Sequence, residues 1–163
     1  MTNNSIDDTP TSRVANPGHI RPPRIFLAAI VLGVVGQSLW PVPLVSRMLG
    51  VPAGIVLVVA AVGLFVSATR AFKAAGTPVP GNQAATAIVS EGPYRFSRNP
   101  IYLAFVIFQL GLALLVNSLS LVITLLPAWL LMAAVVIPRE ERYLMQRFPN
   151  EYAAYRATTR RWL

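Results

Sequence analysis

The stretch NPIYLAFVIFQLGLALLVNSLSLVITLLPAWLLMAAVVIP, Asn99 to Pro138, runs 40 residues without a charge. As one helix it would reach about 60 Å, twice the roughly 30 Å of a bilayer's hydrocarbon core, so it must fold back. The polar cluster Asn117-Ser118, followed by Ser120, marks the reversal, because an irregular turn is tolerated only near water or inside protein. The reading is a helical hairpin over about 101–116 and 119–137, with Pro127 predicting a kink in its second arm.

Two more charge-free runs lie upstream, Ile25 to Ser46 and Met48 to Thr69, each of 22 residues and each long enough to span. They predict helices over about 25–44 and 52–71, with Pro41, Pro43 and Pro52 at span ends. Gly50 and Gly54 make a G-x-x-x-G, but Pro52 between them argues against a dimerisation face. The composition agrees: 55% of residues are hydrophobic and 12% charged, against about 25% charged in a soluble domain. The fold class expected is all-α, a polytopic membrane protein with about four transmembrane helices and a C-terminal interfacial helix. Residues 1–24, with four prolines, read as a flexible tail, and 25–163 as a single membrane domain. Two acids ahead of the first apolar run, with no small-residue cleavage site behind it, favour a retained span over a signal peptide.

There is no Cys and a single His, His19. No disulfide framework, thiol nucleophile or zinc cluster can be assembled, so no metal site is expected. The net charge of +8 comes from 14 Lys+Arg and 6 Asp+Glu, and it gathers outside the apolar runs, which points to a membrane rather than to nucleic acid. Three Arg lie in the N-terminal tail, four basic residues in 70–98 and six in 138–163, whereas the other connections carry only Arg47. The positive-inside bias then predicts an inner or plasma membrane protein with both termini and the 70–98 loop cytoplasmic.

Two segments on that face are informative. In GTPVPGNQAATAIVSEGPYRFSRNPIY (76–102), Gly76, Pro78, Pro80 and Gly81 force a turn, 86–90 looks extended, and Gly92-Pro93 makes a second turn. Pro100 suits the first turn of a helix capped by Asn99. In IPREERYLMQRFPNEYAAYRATTRRWL (137–163), Glu140 and Glu141 suit the positive end of a helix dipole. Leu144, Phe148, Tyr152 and Tyr155 recur as one amphipathic, interfacial face.

The combination G-P-Y-R-x-x-R-N-P-x-Y (Gly92 to Tyr102), a membrane hairpin, then E-E-R-x-L and F-x-x-E-Y-x-x-Y (Glu140 to Tyr155) resembles the isoprenylcysteine carboxyl methyltransferase and phospholipid methyltransferase superfamily. The resemblance covers 76–163. It implies an integral membrane enzyme that moves a methyl group from S-adenosylmethionine to a lipid-like or small acceptor, without a metal, leaving S-adenosylhomocysteine. It implies backbone contacts to the cofactor from Thr86, Ala87, Ile88 and Val89, a cofactor-binding turn at Tyr94, Asn99, Pro100, Ile101 and Tyr102, and an acidic cofactor ligand at Glu140. These types fit: a carboxylate suits the cofactor's ammonium, an aromatic face its sulfonium, and a helix N-terminus its carboxylate.

Glu141 is the candidate general base, its alternative being dipole stabilisation or pairing with Arg98 or Arg139. Asn99 stands where eukaryotic carboxyl methyltransferases have His. Their arginine for the prenylcysteine carboxylate falls at Val136, which speaks against that acceptor and leaves a lipophilic molecule, a phospholipid amine or a small thiol. Trp40, Trp129 and Trp162 read as packing or interface residues. A transporter would need an ionisable group at membrane depth, and the apolar runs have none. A non-catalytic anchor that binds anionic lipid through the Arg-rich C-terminal segment is the competing reading; it predicts that Glu140→Ala changes little.

Overall fold

The computed structural model describes residues 21–79 and 84–163. The expectations for most of the N-terminal tail, for His19 and for the turn residues Pro80 and Gly81 fall outside these. The described chain is helical: α1 (Pro22–Leu39), α2 (Arg47–Ala74), a 3-10 turn (Gly92–Arg95), α3 (Pro100–Leu115), α4 (Leu119–Leu131), α5 (Ile137–Arg147) and α6 (Pro149–Thr158). Pro22 and Pro100 sit in the first turns of α1 and α3, where a missing N–H costs nothing.

Three helices are long and apolar enough to cross a bilayer: α1, α2 and the continuous run Leu119–Arg147. α3 is shorter, with 16 residues. Large apolar side chains such as Leu32, Val56, Val59 and Ile123 point outward, each more than half exposed, as lipid-facing residues must. α2 lies along α3 and α1 along α4, so the α3–α4 hairpin sits between the two upstream helices. Phe105 on α3 links them, its ring 5.3 Å from Phe26 and 5.7 Å from Phe65.

The hairpin reverses where the polar cluster placed it. Asn117 takes a positive φ of 53°, and its Oδ1 accepts from the N–H of Leu44 (2.8 Å) and of Val45 (3.0 Å), tying this turn to the α1–α2 connection. Ser118 caps α4 by accepting from Leu121 N.

Four details differ from the sequence reading. α2 begins at Arg47, so Pro52 is the sixth residue of the helix rather than at its start, and the bond its N–H would have given to Met48 O is absent. Residues 86–90 are irregular, with no strand. α4 continues through Pro127, and its departure from α geometry comes at Met132–Val136, one wide π turn closed by Ile137 N–H on Met132 O just before Pro138. The C-terminal segment is two helices rather than one, because Phe148 (φ −134°, ψ 64°) precedes Pro149 and is sterically excluded from the helical region.

Candidate functional site

Every element that bears a motif residue meets at one end of the bundle. There the C-terminal half of α2, the first turns of α1 and α3, segment 84–98, α5 and α6 enclose a mostly apolar cavity of about 270 Å³, near the lower end of the range for ligand pockets. Eight of the ten residues expected to hold a cofactor line it: Ala87, Ile88, Val89, Tyr94, Asn99, Ile101, Tyr102 and Glu140. Thr86 and Pro100 do not. Thr86 is exposed, its N–H donating to Thr77 Oγ1 at 2.9 Å, and Pro100 is buried in the first turn of α3.

Glu140 is 7% exposed and accepts a hydrogen bond from the Tyr102 hydroxyl at 2.6 Å. A short bond of this kind to a buried carboxylate is among the stronger single interactions a protein can make. Tyr94 is held by an edge-on contact with Phe72, centroids 5.2 Å apart, while its carbonyl accepts from the Tyr155 hydroxyl at 2.8 Å. Burial, followed by the neighbouring Tyr155 and Glu140, pushes the Tyr94 phenol well above its ordinary range. Burial does the same for Tyr155, with Tyr152 adding and Arg98 opposing. Both phenols are therefore neutral donors at physiological pH.

Glu141 is clamped. Arg161 grips it with two bonds, Nε to Oε1 at 3.1 Å and Nη2 to Oε2 at 2.6 Å, and Arg98 Nη1 lies 3.2 Å from Oε1. The pairing with Arg98 is thus present, while Arg139 is not among its ion pairs. The C-terminal strand of chain that brings Arg161 is itself anchored: Arg98 N donates to Arg160 O at 2.9 Å, and Asn99 Nδ2 to Arg161 O at 2.9 Å. Asn99 occupies the N-cap position, but its side chain is spent on that strap and makes no cap bond. Trp162 closes the strap against Trp129, centroids 6.1 Å apart.

The face expected at the membrane interface turns inward instead. Tyr152 is 2% exposed, and Leu144, Tyr152 and Tyr155 all border the cavity, because the break at Phe148 folds α6 back over it. Phe65, Thr69 and Phe72 of α2 also line the cavity. They carry no signal in a charge-free run, where one apolar residue reads like the next. Arg98 had a signal, an arginine fixed within the G-P-Y-R-x-x-R-N-P motif, and is a wall residue too.

The class defined so far is a helical bundle with span-length apolar helices and, at one end, an apolar cavity walled by a buried carboxylate and tyrosines. The chain belongs to the phospholipid methyltransferase family, whose model matches residues 49–151. It is also similar to the cobalt-zinc-cadmium resistance protein CzcN of Cupriavidus metallidurans, 38% identical over 72 residues, which are 44% of this chain and 33% of that protein. The chain thus matches about a third of the length of that curated relative. No solved structure matches the chain.

Proposed function

We propose that this protein methylates a lipid-soluble acceptor with S-adenosylmethionine, at the end of the bundle that carries the cavity. The observation that supports this best is the buried Glu140–Tyr102 pair on the wall of an otherwise apolar chamber. A carboxylate held there without a cationic partner of its own suits a ligand that brings positive charge. Tyr94 and Tyr102 offer aromatic faces for a cation or a purine, a contact worth about 0.5–2 kcal/mol. The donor supplies a methyl group on a positively charged sulfur, which departs as a neutral thioether. The protein's part is to align acceptor and donor and to exclude water, both of which the enclosure by α5 and α6 serves.

Phe65 and Thr69 of α2 and Phe105 of α3 give the chamber an uncharged wall, in keeping with a lipophilic acceptor. Glu141, with both oxygens engaged by arginines, is assigned to positioning Arg98 and Arg161 rather than to proton abstraction. Calorimetry on the detergent-purified chain tests the reading: S-adenosylmethionine and S-adenosylhomocysteine bind, with affinities in the common enzyme range of about 1 μM–1 mM. A folded sample that binds neither rejects it. Incubation with donor labelled at the methyl group and a total lipid extract then reports where the label goes.

A further inference from the structure

Arg98 leaves an excess of positive charge on the cavity wall. Two guanidinium groups, Arg98 and Arg161, share the single carboxylate of Glu141, and Arg161 takes the better geometry with two bonds to it. Arg98 keeps one approach at 3.2 Å through Nη1 and otherwise faces the Tyr152 hydroxyl, a neutral partner that leaves its charge unbalanced, while its Nε and Nη1 are shut off from solvent without a hydrogen bond. Its side chain is 11% exposed and borders the cavity. Buried guanidinium donors are expensive to leave unmade, and their planar fork matches a carboxylate.

A second supply of donors lies alongside. Ile101 and Tyr102 are in the first turn of α3, where N–H groups have no acceptor within the helix, and Asn99 has turned its side chain to Arg161 O instead of capping them. The same cavity holds Glu140, the complementary negative group. A chamber with one buried anion and one buried cation in excess suits a zwitterion.

Resting on the methyl-donor reading above, we propose that Arg98 binds the carboxylate of the donor's amino-acid tail, with the first turn of α3 assisting, while Glu140 faces its positive charge. An acceptor entering from the bilayer would pass Phe65, Thr69 and Phe105, which offer an anion nothing, so the anion Arg98 awaits is assigned to the donor.

Decarboxylated S-adenosylmethionine, which keeps the sulfonium and ammonium but lacks the carboxylate, is the probe. By calorimetry the wild-type chain binds S-adenosylmethionine about 10–100-fold more tightly than this analogue, as loss of a charge-assisted pair predicts. In Arg98→Gln the affinity for S-adenosylmethionine falls by about that factor, the analogue's is unchanged, and the two become equal. Equal binding of both ligands by the wild type overturns the proposal even if the variant fails to fold. So does a variant that keeps its preference for S-adenosylmethionine and instead raises KM for the acceptor, since the anion would then be the acceptor's. A wild-type chain that binds the decarboxylated analogue while showing no preference leaves the methyl-donor reading standing; binding of neither ligand removes both.

Discussion

Tyr102 and Glu140 stand 38 positions apart in the chain and meet at 2.6 Å, one from the first turn of α3 and the other from α5. Replacing Glu140 by Gln keeps the size and a hydrogen-bonding group but removes the charge. S-adenosylmethionine affinity is expected to fall by about 10–100-fold, the equivalent of one charge-assisted bond, with the thermal midpoint little changed; titration calorimetry and a thermal melt on the same sample check both. Tyr102→Phe leaves the carboxylate in place without its donor, and a loss of about 10-fold or less is expected, by the same assay. At this scale the polar members of the candidate site were readable only through the resemblance, whose motifs carry Tyr94, Tyr102 and Glu140. Phe72 was not: its role depends on a ring meeting Tyr94 edge-on across two elements, and nothing in the local sequence separates it from any other apolar residue of α2.

The pairing of α2 with α3 rests on glycines that the sequence offers only as an ambiguous pattern. A Cβ on Gly54 would meet Gly111 O and the Leu115 side chain at 2.8 Å, and one on Gly50 would meet Leu114 O at 3.2 Å. The G-x-x-x-G therefore serves an intramolecular contact, the same close approach of backbones that drives such motifs between chains. Gly54→Leu is expected to force the two helices apart and destabilise the protein by about 1–3 kcal/mol, visible as a lowered melting temperature in detergent. Gly63→Ala on the same helix meets nothing within 4 Å, and a neutral or slightly raised midpoint is expected from helix propensity alone. At the hairpin turn, Asn117→Ala removes the acceptor for two backbone N–H groups and puts a less suitable residue at positive φ. A cost of about 1–2 kcal/mol follows, only part of which Asn117→Gly recovers, because glycine restores the backbone freedom and not the bonds. The helices themselves were legible in outline, since absence of charge sets a span. The ends of the first two were displaced by up to five residues, since Leu39 and Arg47 are fixed by contacts such as Leu119 N on Val42 O, which link segments far apart in sequence.

For the whole molecule, the cavity end gathers Arg21, Arg24, Arg70, Lys73, Arg95, Arg98 and the six arginines of the last 25 residues, whereas Arg47 lies at the opposite end with the Asn117 turn. That separation was legible as a count of charges between apolar runs. What the count could not reveal is that two of the arginines, Arg98, largely buried, and Arg161, still partly exposed, converge on Glu141, so that basic charge also borders the candidate site. The positive-inside bias makes the cytoplasmic side the expected place of the basic end. Because the chain has no Cys, single cysteines report it without background. Arg47 and Arg95 are both exposed and sit at opposite ends, whereas Ser118 is fully buried and would not react from either side. An impermeant maleimide is expected to label Arg47→Cys in intact cells and to leave Arg95→Cys unlabelled until the membrane is opened or inverted vesicles are used. The opposite pattern would place the cavity outside, away from the intracellular supply of a nucleoside methyl donor, and so would reject the orientation and the methyl-donor reading together.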